Sequence, residues 1–220
     1  MGITDLLQRA REELYSAVLS DVLDDMGDFH HVMKSGIRPL DEHLKIVGLA
    51  RTGMYHEVEG CAPEHNPYAV EIDLIDSIQD NEVLILGCGG SDKIAPWGEL
   101  LSTSAQVRGA AGCITDGMIR DILKIKAMKF PVFHGGIAPL DSKGRGEMFE
   151  IDTEIICGGA RVAAGDLIYG DADGVVVVPK AMIVDVLEQA FEKVSKENAT
   201  RDDLRAGKSL AVTFKKYGVL

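Results

Sequence analysis

Apolar residues recur at helical spacing from the start of the chain. Leu7, Ala10, Leu14, Val18, Val22 and Met26 fall three or four positions apart, which lines them along one helix face. The segment 3–26 is therefore predicted helical, in one or two pieces, with Gly27 as its stop. Gly36–Leu40 reads as a turn into extended chain and Ile46–Ala50 as the next strand. His56–Pro67 mixes charge, Gly and Pro and reads as a loop. Val70, Ile72, Leu74, Ile75 and Ile78 predict a short helix, and Val83–Leu86 a short strand between Asn81 and Gly87. Leu101–Arg108 reads as helix, Gly112–Thr115 as strand with Asp116–Gly117 its turn, Met118–Met128 as helix and Pro131–His134 as strand. A loop is expected over 134–147, then a hairpin from Glu154–Gly159 and Arg161–Val162. Gly165–Tyr169 and Gly174–Val178 are strands around the Asp171–Gly174 turn, and the valine run at 175–178 is buried-sheet material. Ile183–Ser195 is a helix, and 196–220 is polar and then amphipathic.

Strands alternate with helices in the middle of the chain and then crowd together. That order predicts an α/β fold with a mixed sheet flanked by helices. No internal repeat or linker interrupts it, so 1–220 is expected to be a single domain, with 196–220 as a C-terminal extension. The 46% hydrophobic content of the 220 residues suffices for a core without disulfide or metal staples. Lys plus Arg number 23 and Asp plus Glu 35, giving a net charge of −12. That balance argues against a broad nucleic-acid face and against recruitment to an anionic membrane. No run approaches the roughly 18 apolar residues of a membrane span. The opening MGITDLLQRAREEL lacks the apolar stretch of a signal peptide. Cys61, Cys88, Cys113 and Cys157 are scattered without a CxxC pair and are expected to be reduced thiols. The expectation is a cytoplasmic protein with neither nucleic-acid nor membrane partner.

Candidate chemistry gathers in a few places. GCGGSD at 87–92 matches neither GxxxxGK[ST] nor GxGxxG, so it is not a nucleotide loop by pattern. It remains either plain turn geometry or a turn whose N–H groups hold a small anion. Gly98, Glu99 and Leu100 open a helix, where free N–H groups suit an anionic substrate group and Glu99 suits the helix dipole. Arg120 and Asp121 follow a strand, combining a carboxylate-binding fork with a hard oxygen ligand for Mg²⁺ or Mn²⁺. The histidines have no HExxH or paired spacing. His56, Glu59, Glu64 and His65 share a loop, and His134 ends a strand beside Gly135–Gly136.

The segments WGEL at 97–100, RG at 108–109, GCITDGMIRD at 112–121, FPVFHGG at 130–136 and GDLIYGDADGVVVVP at 165–179, with LSDVLDDMG at 19–27, carry a family resemblance. In order and spacing the chain resembles the regulator of ribonuclease activity A family, which includes the 4-hydroxy-4-methyl-2-oxoglutarate aldolases. The resemblance implies a swivelling β/β/α-type fold, trimers or hexamers, sites near subunit boundaries and a Mg²⁺ or Mn²⁺ cofactor. It makes Arg120 the substrate-binding arginine, Asp121 the metal-anchoring carboxylate and Gly98–Leu101, Leu101 included, the backbone pocket for a substrate carboxylate. It also implies that the tail packs on a neighbouring subunit. Two positions depart from the pattern. Lys124 stands where aldolase-like members commonly carry Glu or Asp, and His134 where a small residue is common. Both are carried as pocket candidates, Lys124 either pairing with Asp121 three residues before it on the helix or carrying its charge on a long stem clear of the pocket to solvent. The implied activity is a metal-dependent lyase cleaving 2-oxo diacids to pyruvate, by aldol cleavage or by oxaloacetate decarboxylation. The alternatives are a non-enzymatic protein-binding regulator of ribonuclease activity and a related sugar-acid lyase or dehydratase.

Overall fold

The computed structural model describes residues 2–219. The predicted N-terminal helix is two helices, α1 (Ile3–Glu13) and α2 (Ser16–Asp25). Leu14 and Tyr15 adopt extended backbone between them. The start of α2 is capped from across the fold. The buried Asp171 carboxylate accepts the Ser16 N–H at 2.8 Å and its hydroxyl at 2.6 Å, while also taking the Asp173 N–H at 3.0 Å within its own turn. The orphan donors of a helix start are thereby satisfied by a distant side chain.

The strands are β1 (Arg38–Pro39), β2 (Ile46–Glu57), β3 (Glu82–Gly87), β4 (Gly112–Ile119), β5 (Val132–Ile137), β6 (Gly146–Ile151), β7 (Ile155–Cys157), β8 (Ala160–Val162), β9 (Leu167–Gly170) and β10 (Val175–Val178). The remaining helices are α3 (Ala69–Asp76), α4 (Glu99–Val107), α5 (Ile122–Met128), α6 (Ile183–Arg205) and α7 (Leu210–Tyr217). The main sheet runs β1-β5-β4-β3-β2-β9-β10, with β6 also paired to β2, and β7–β8 form a separate hairpin. Pairs β2–β3, β3–β4 and β4–β5 are parallel, and the others antiparallel. This is an α/β fold with a curled mixed sheet flanked by helices. One core lies between α1, α2, α6 and the β2–β9–β10 region, around Leu19, Val47, Tyr169 and Leu187. A second, around Leu74, Leu84, Trp97 and Ile125, lies under α3, α4 and α5.

Four elements differ from expectation. β2 continues past Ala50 to Glu57, because its second half gains β6 as partner through an irregularity at Met54–Tyr55. Asp116–Gly117 is not a turn but part of β4, at a register shift between Thr115 and Met118 against β5. Gly117 is compelled by crowding: an added Cβ would lie 2.9 Å from both the Cys88 Sγ and the Ile94 carbonyl. Met118 therefore belongs to a strand, and the following helix starts only at Ile122. The loop expected over 134–147 is bounded by strand at both ends, since β5 reaches Ile137 and β6 begins at Gly146. The tail completes α6 and then folds back as α7 on the same chain. Asp203 accepts from the Tyr217 hydroxyl at 3.0 Å and from the Lys208 and Lys216 ammoniums at 2.7 and 3.1 Å.

Cys88, Cys113 and Cys157 are buried free thiols, and Cys61 is a partly exposed one. Burial pushes the Cys88 thiol up to about 12, so it stays protonated and unreactive near neutrality. No helix among the described residues is long and apolar enough to cross a membrane.

Candidate active site

Parallel strands β3, β4 and β5 end on one edge of the sheet, and the loops leaving that edge build the site, as is usual for open α/β sheets. Trp97 bridges to Ile119, and the Arg120 N–H donates to the Trp97 carbonyl at 3.0 Å. These contacts bring the start of α4 against the end of β4. Asp121 opens α5 in left-handed backbone, φ 60° and ψ 31°, a region a non-glycine residue enters only where its surroundings hold it. Its Oδ2 accepts the Glu99 N–H at 3.3 Å. Gly98 permits this approach by size: an added Cβ would lie 2.9 Å from Asp121 Oδ2 and 3.3 Å from Arg120 Cγ. Arg120 is held on its other side by a bond from Nη1 to the Leu140 carbonyl at 3.2 Å and by Asp141 Oδ2 at 3.6 Å.

Gly98, Glu99, Leu100, Leu101, Arg120 and Asp121 all line one cavity of about 340 Å³. These six of the residues named from the sequence are thus brought together. First-turn N–H groups of a helix have no intrahelical carbonyl to reach, so those of α4 add positive potential beside the Arg120 guanidinium.

Four further polar residues line the cavity and escaped the sequence reading: Tyr68, Glu71, Asp141 and Ser142. The Tyr68 hydroxyl donates to Asp141 Oδ2 at 2.9 Å. Burial and this partner push the Tyr68 phenol up to about 12, so it remains a donor. Burial works against the Asp141 charge, but the Tyr68 hydroxyl, the Lys143 N–H and the Arg120 guanidinium outweigh it and hold the carboxyl below its ordinary value. Glu71 is only 4% exposed, and its Oε1 accepts the Tyr55 hydroxyl at 2.6 Å. Burial raises its carboxyl to about 7, with the Tyr55 bond opposing and Asp141 adding to the rise. A signal for Glu71 was present, since it shares the 71, 74, 75, 78 spacing of a buried stripe with Leu74 and Ile75 of α3 and Ile78 just past its end.

Lys124 and His134 lie outside this lining. The Lys124 ammonium stands 3.6 Å from Glu99 Oε2 rather than on Asp121, and its side chain is largely exposed. The physical reason is competition: Asp121 Oδ2 already faces the Glu99 N–H and Arg120, while the Glu99 carboxylate is open to a partner from α5. His134 sits in β5 between Arg38 of β1 and Thr115 of β4. Burial, with Lys126 nearby, lowers its pKa. His56 and His65 are also spoken for. His65 pairs with Glu147 at 2.6 Å and His56 packs edge-on against Phe149. In the glycine loop the Cys88 N–H goes to Asp116 at 2.6 Å, and Ser91 and Lys93 go to Glu57.

Among the described residues no three His, Cys, Asp or Glu side chains gather around a point that one ion could occupy. Four carboxylates line the cavity: Asp121, partly exposed, and Asp141 flank Arg120, while Glu99 faces Lys124 and Glu71 takes the Tyr55 hydroxyl. Hard carboxylate oxygen of this kind fits Mg²⁺ or Mn²⁺ held through one or two carboxylates with water completing the shell, and does not fit an enclosed structural ion.

Residues 16–177 match the RraA-like family, described as Aldolase/RraA. A Halalkalibacterium halodurans protein named "Putative 4-hydroxy-4-methyl-2-oxoglutarate aldolase" is 34% identical over 181 residues, covering 82% of this chain and 80% of its own. The crystal structure of Streptomyces coelicolor RraAS2, called an unusual member of the RNase ES inhibitor RraA protein family, superposes with a TM-score of 0.79 at 25% identity, over 90% of this chain and 96% of that one. A Pseudomonas syringae protein shares the fold with a TM-score of 0.86 at 24% identity, over 97% and 94% of the two chains. The chain belongs to the RraA-like family, which holds both metal-dependent aldolases and RraA proteins that regulate without catalysis.

Proposed function

We propose that the cavity binds a 2-oxo acid and that the protein is a divalent-metal-assisted carbon–carbon lyase releasing pyruvate. One observation carries this reading: Arg120 and Asp121 are held side by side against the N-terminus of α4 within one cavity. The Arg120 fork and the Leu100 and Leu101 N–H groups bind the substrate carboxylate. The guanidinium also faces the 2-oxo oxygen, which gains negative charge as the C3–C4 bond breaks, so its pull is greatest in the transition state. A Mg²⁺ or Mn²⁺ ion held through Asp121 supplies Lewis-acid stabilisation of that same charge. Tyr68 and Asp141 fix the far side of Arg120 and keep its fork aimed. The substrates expected are 4-hydroxy-4-methyl-2-oxoglutarate and oxaloacetate, and the assembly expected is a homotrimer or hexamer.

The test is pyruvate release from both compounds with Mg²⁺ or Mn²⁺ and then with EDTA, after subtracting the metal-only rate. Turnover lost on chelation is the expected result, and none above background on either compound overturns the reading. Gly98→Ala probes the geometry more finely. The atoms its Cβ meets are side-chain atoms of Asp121 and Arg120, so the fold should tolerate it while the pair shifts by tenths of an ångström. A fall in kcat of about 10²-fold is expected, with an unchanged melting curve.

A second reading, a non-catalytic regulator that binds another protein, is favoured by the likeness to RraAS2 and by a specific surface feature. Leu100, Val107 and Leu123, on α4 and α5, are 77%, 81% and 79% exposed in the single chain. Apolar side chains so placed suit a partner surface. A stoichiometric partner recovered from cell extract, retained by Asp121→Ala and accompanied by no turnover, favours this reading over the lyase.

A further inference from the structure

A lyase of this kind must move a proton twice. The C4 hydroxyl loses one as the C3–C4 bond breaks, and C3 of the enolate gains one to become the methyl group of pyruvate. Arg120 stays protonated at any working pH and cannot accept it. Asp121 Oδ2 is already engaged by the Glu99 N–H at 3.3 Å and lies 4.0 Å from Arg120 Nε, and in the lyase reading it is the carboxylate that holds the metal.

We propose that Glu71 is the acid–base catalyst of this cavity, taking the C4 hydroxyl proton of a bound 4-hydroxy-2-oxo acid and returning it to C3. The proposal rests on the lyase reading above. The balance is simple. Glu71 carboxylate removes the hydroxyl proton, the C4–O bond becomes a carbonyl, and the C3–C4 pair moves into a C2–C3 double bond with charge on the C2 oxygen. The carbonyl fragment leaves. Glu71, now a carboxylic acid, protonates C3 and the 2-oxo group re-forms, which regenerates the carboxylate. No oxidant or water is consumed. In oxaloacetate decarboxylation only the second half is needed, and solvent then reloads Glu71.

Three structural facts support this. Glu71 borders the same cavity as Arg120 and Asp121 but comes from a different element, α3, so substrate lies between base and electron sink. It is buried without an ion pair among the described residues, its hydrogen bond coming from the neutral Tyr55 hydroxyl. A glutamine would accept that bond without the desolvation cost of a carboxylate, so the acid is not needed for structure. The groups facing it are Tyr55 from β2, Tyr68 just before α3, Cys88 beyond β3, Cys113 of β4, Arg120 beyond β4 and Asp141 beyond β5. Burial and Asp141 favour the neutral form, and Tyr55 and Arg120 the charged one. The resulting carboxyl, at about 7, populates both forms near neutrality, where a group serving as base and then acid works best.

The experiment is deuterium exchange into the methyl group of pyruvate in D₂O with Mg²⁺, followed by proton NMR, alongside aldol cleavage. Wild-type protein should do both. Glu71→Gln should slow both by about 10²-fold or more while retaining pyruvate affinity within about threefold, and Glu71→Asp should recover part of the rate. Tyr55→Phe removes a bond that favours the carboxylate, so the rising limb of kcat/KM with pH should move to higher pH. A purely structural Glu71 would not move that limb. If wild type exchanges and cleaves while Glu71→Gln keeps more than about a third of both rates, the Glu71 proposal falls and the lyase reading stands. Should wild type do neither, both fall. If Glu71→Gln does not fold, an unmoved limb in Tyr55→Phe overturns the proposal.

Discussion

Arg120→Ala should lower kcat/KM on a 2-oxo diacid by about 10³-fold, more than any other single change in the cavity. In the lyase reading proposed above, the guanidinium combines two tasks: a paired donor set for the substrate carboxylate, beside the α4 N–H groups, and a fixed positive charge beside the developing oxyanion. Removing one such oxyanion donor costs about 10²–10³ in kcat, and loss of ground-state carboxylate binding adds a rise in KM. The fold should hardly notice. Arg120 is partly exposed, with its bond to the Leu140 carbonyl and its approach to Asp141 confined to the cavity rim. A stability change within about 0.5 kcal/mol is expected, read as a melting temperature altered by no more than about 2 °C. Arg120→Lys keeps the charge but loses the planar fork, and should recover only part of the activity. Steady-state kinetics with an unchanged kcat/KM for Arg120→Ala would remove this residue from the mechanism.

Gly48→Ala should produce the largest loss of stability, about 3 kcal/mol, and a melting temperature lower by about 6–12 °C. An added Cβ would stand 2.2 Å from the Asn81 carbonyl oxygen and 2.9 Å from Val83 Cγ2. That carbonyl cannot retreat. It accepts the Leu49 N–H at 2.9 Å, and the Asn81 N–H donates to the Gly109 carbonyl at 3.0 Å, so the residue is tied on both sides. Asn81 is already in left-handed backbone at φ 65°, which leaves it little freedom to adjust. Relief requires β2 and β3 to separate locally. Thermal unfolding followed by circular dichroism checks this, and a shift under about 2 °C would show that the junction is more compliant than its bonding indicates.

Much of the fold was legible because its signals are local. The 7, 10, 14, 18, 22 spacing, the apolar run at 83–86 and the valine run closed by Pro179 each determine an element from neighbouring residues. What escaped depends on partners far along the chain. β2 extends to Glu57 because β6 pairs with it, and no pattern within 51–57 announces that. Asp116–Gly117 has turn-forming composition, yet Asp116 spends its carboxylate on the Cys88 and Gly158 N–H groups at 2.6 and 3.2 Å while the chain runs on as strand. The site divides the same way. Gly98–Leu101 and Arg120–Asp121 stand in short motifs that family resemblance makes readable. Asp141 and Tyr68 look like ordinary loop residues until folding brings them beside Arg120. Lys124 shows the limit of helix spacing: the sequence left it either paired with Asp121 or carried out to solvent, and its ammonium stands exposed beside the Glu99 carboxylate that α4 brings up, a partner that spacing along α5 does not reveal.

The cavity wall draws on residues 68–72, 95–101, 120–121 and 141–142, joined through the parallel ladder β3–β4–β5. Parallel pairs close only across long intervening segments, and such non-local contacts form late because chain closure must precede them. The contact that seats Arg120, its N–H on the Trp97 carbonyl, exists only once the ends of β3 and β4 are aligned. Until those strand ends are paired, the chain lacks this contact and with it the cavity. A ligand of this cavity recognises the finished sheet alone and raises the free energy of unfolding by the full RT ln(1 + [L]/Kd), which makes substrate supply a determinant of how long each copy of the protein survives.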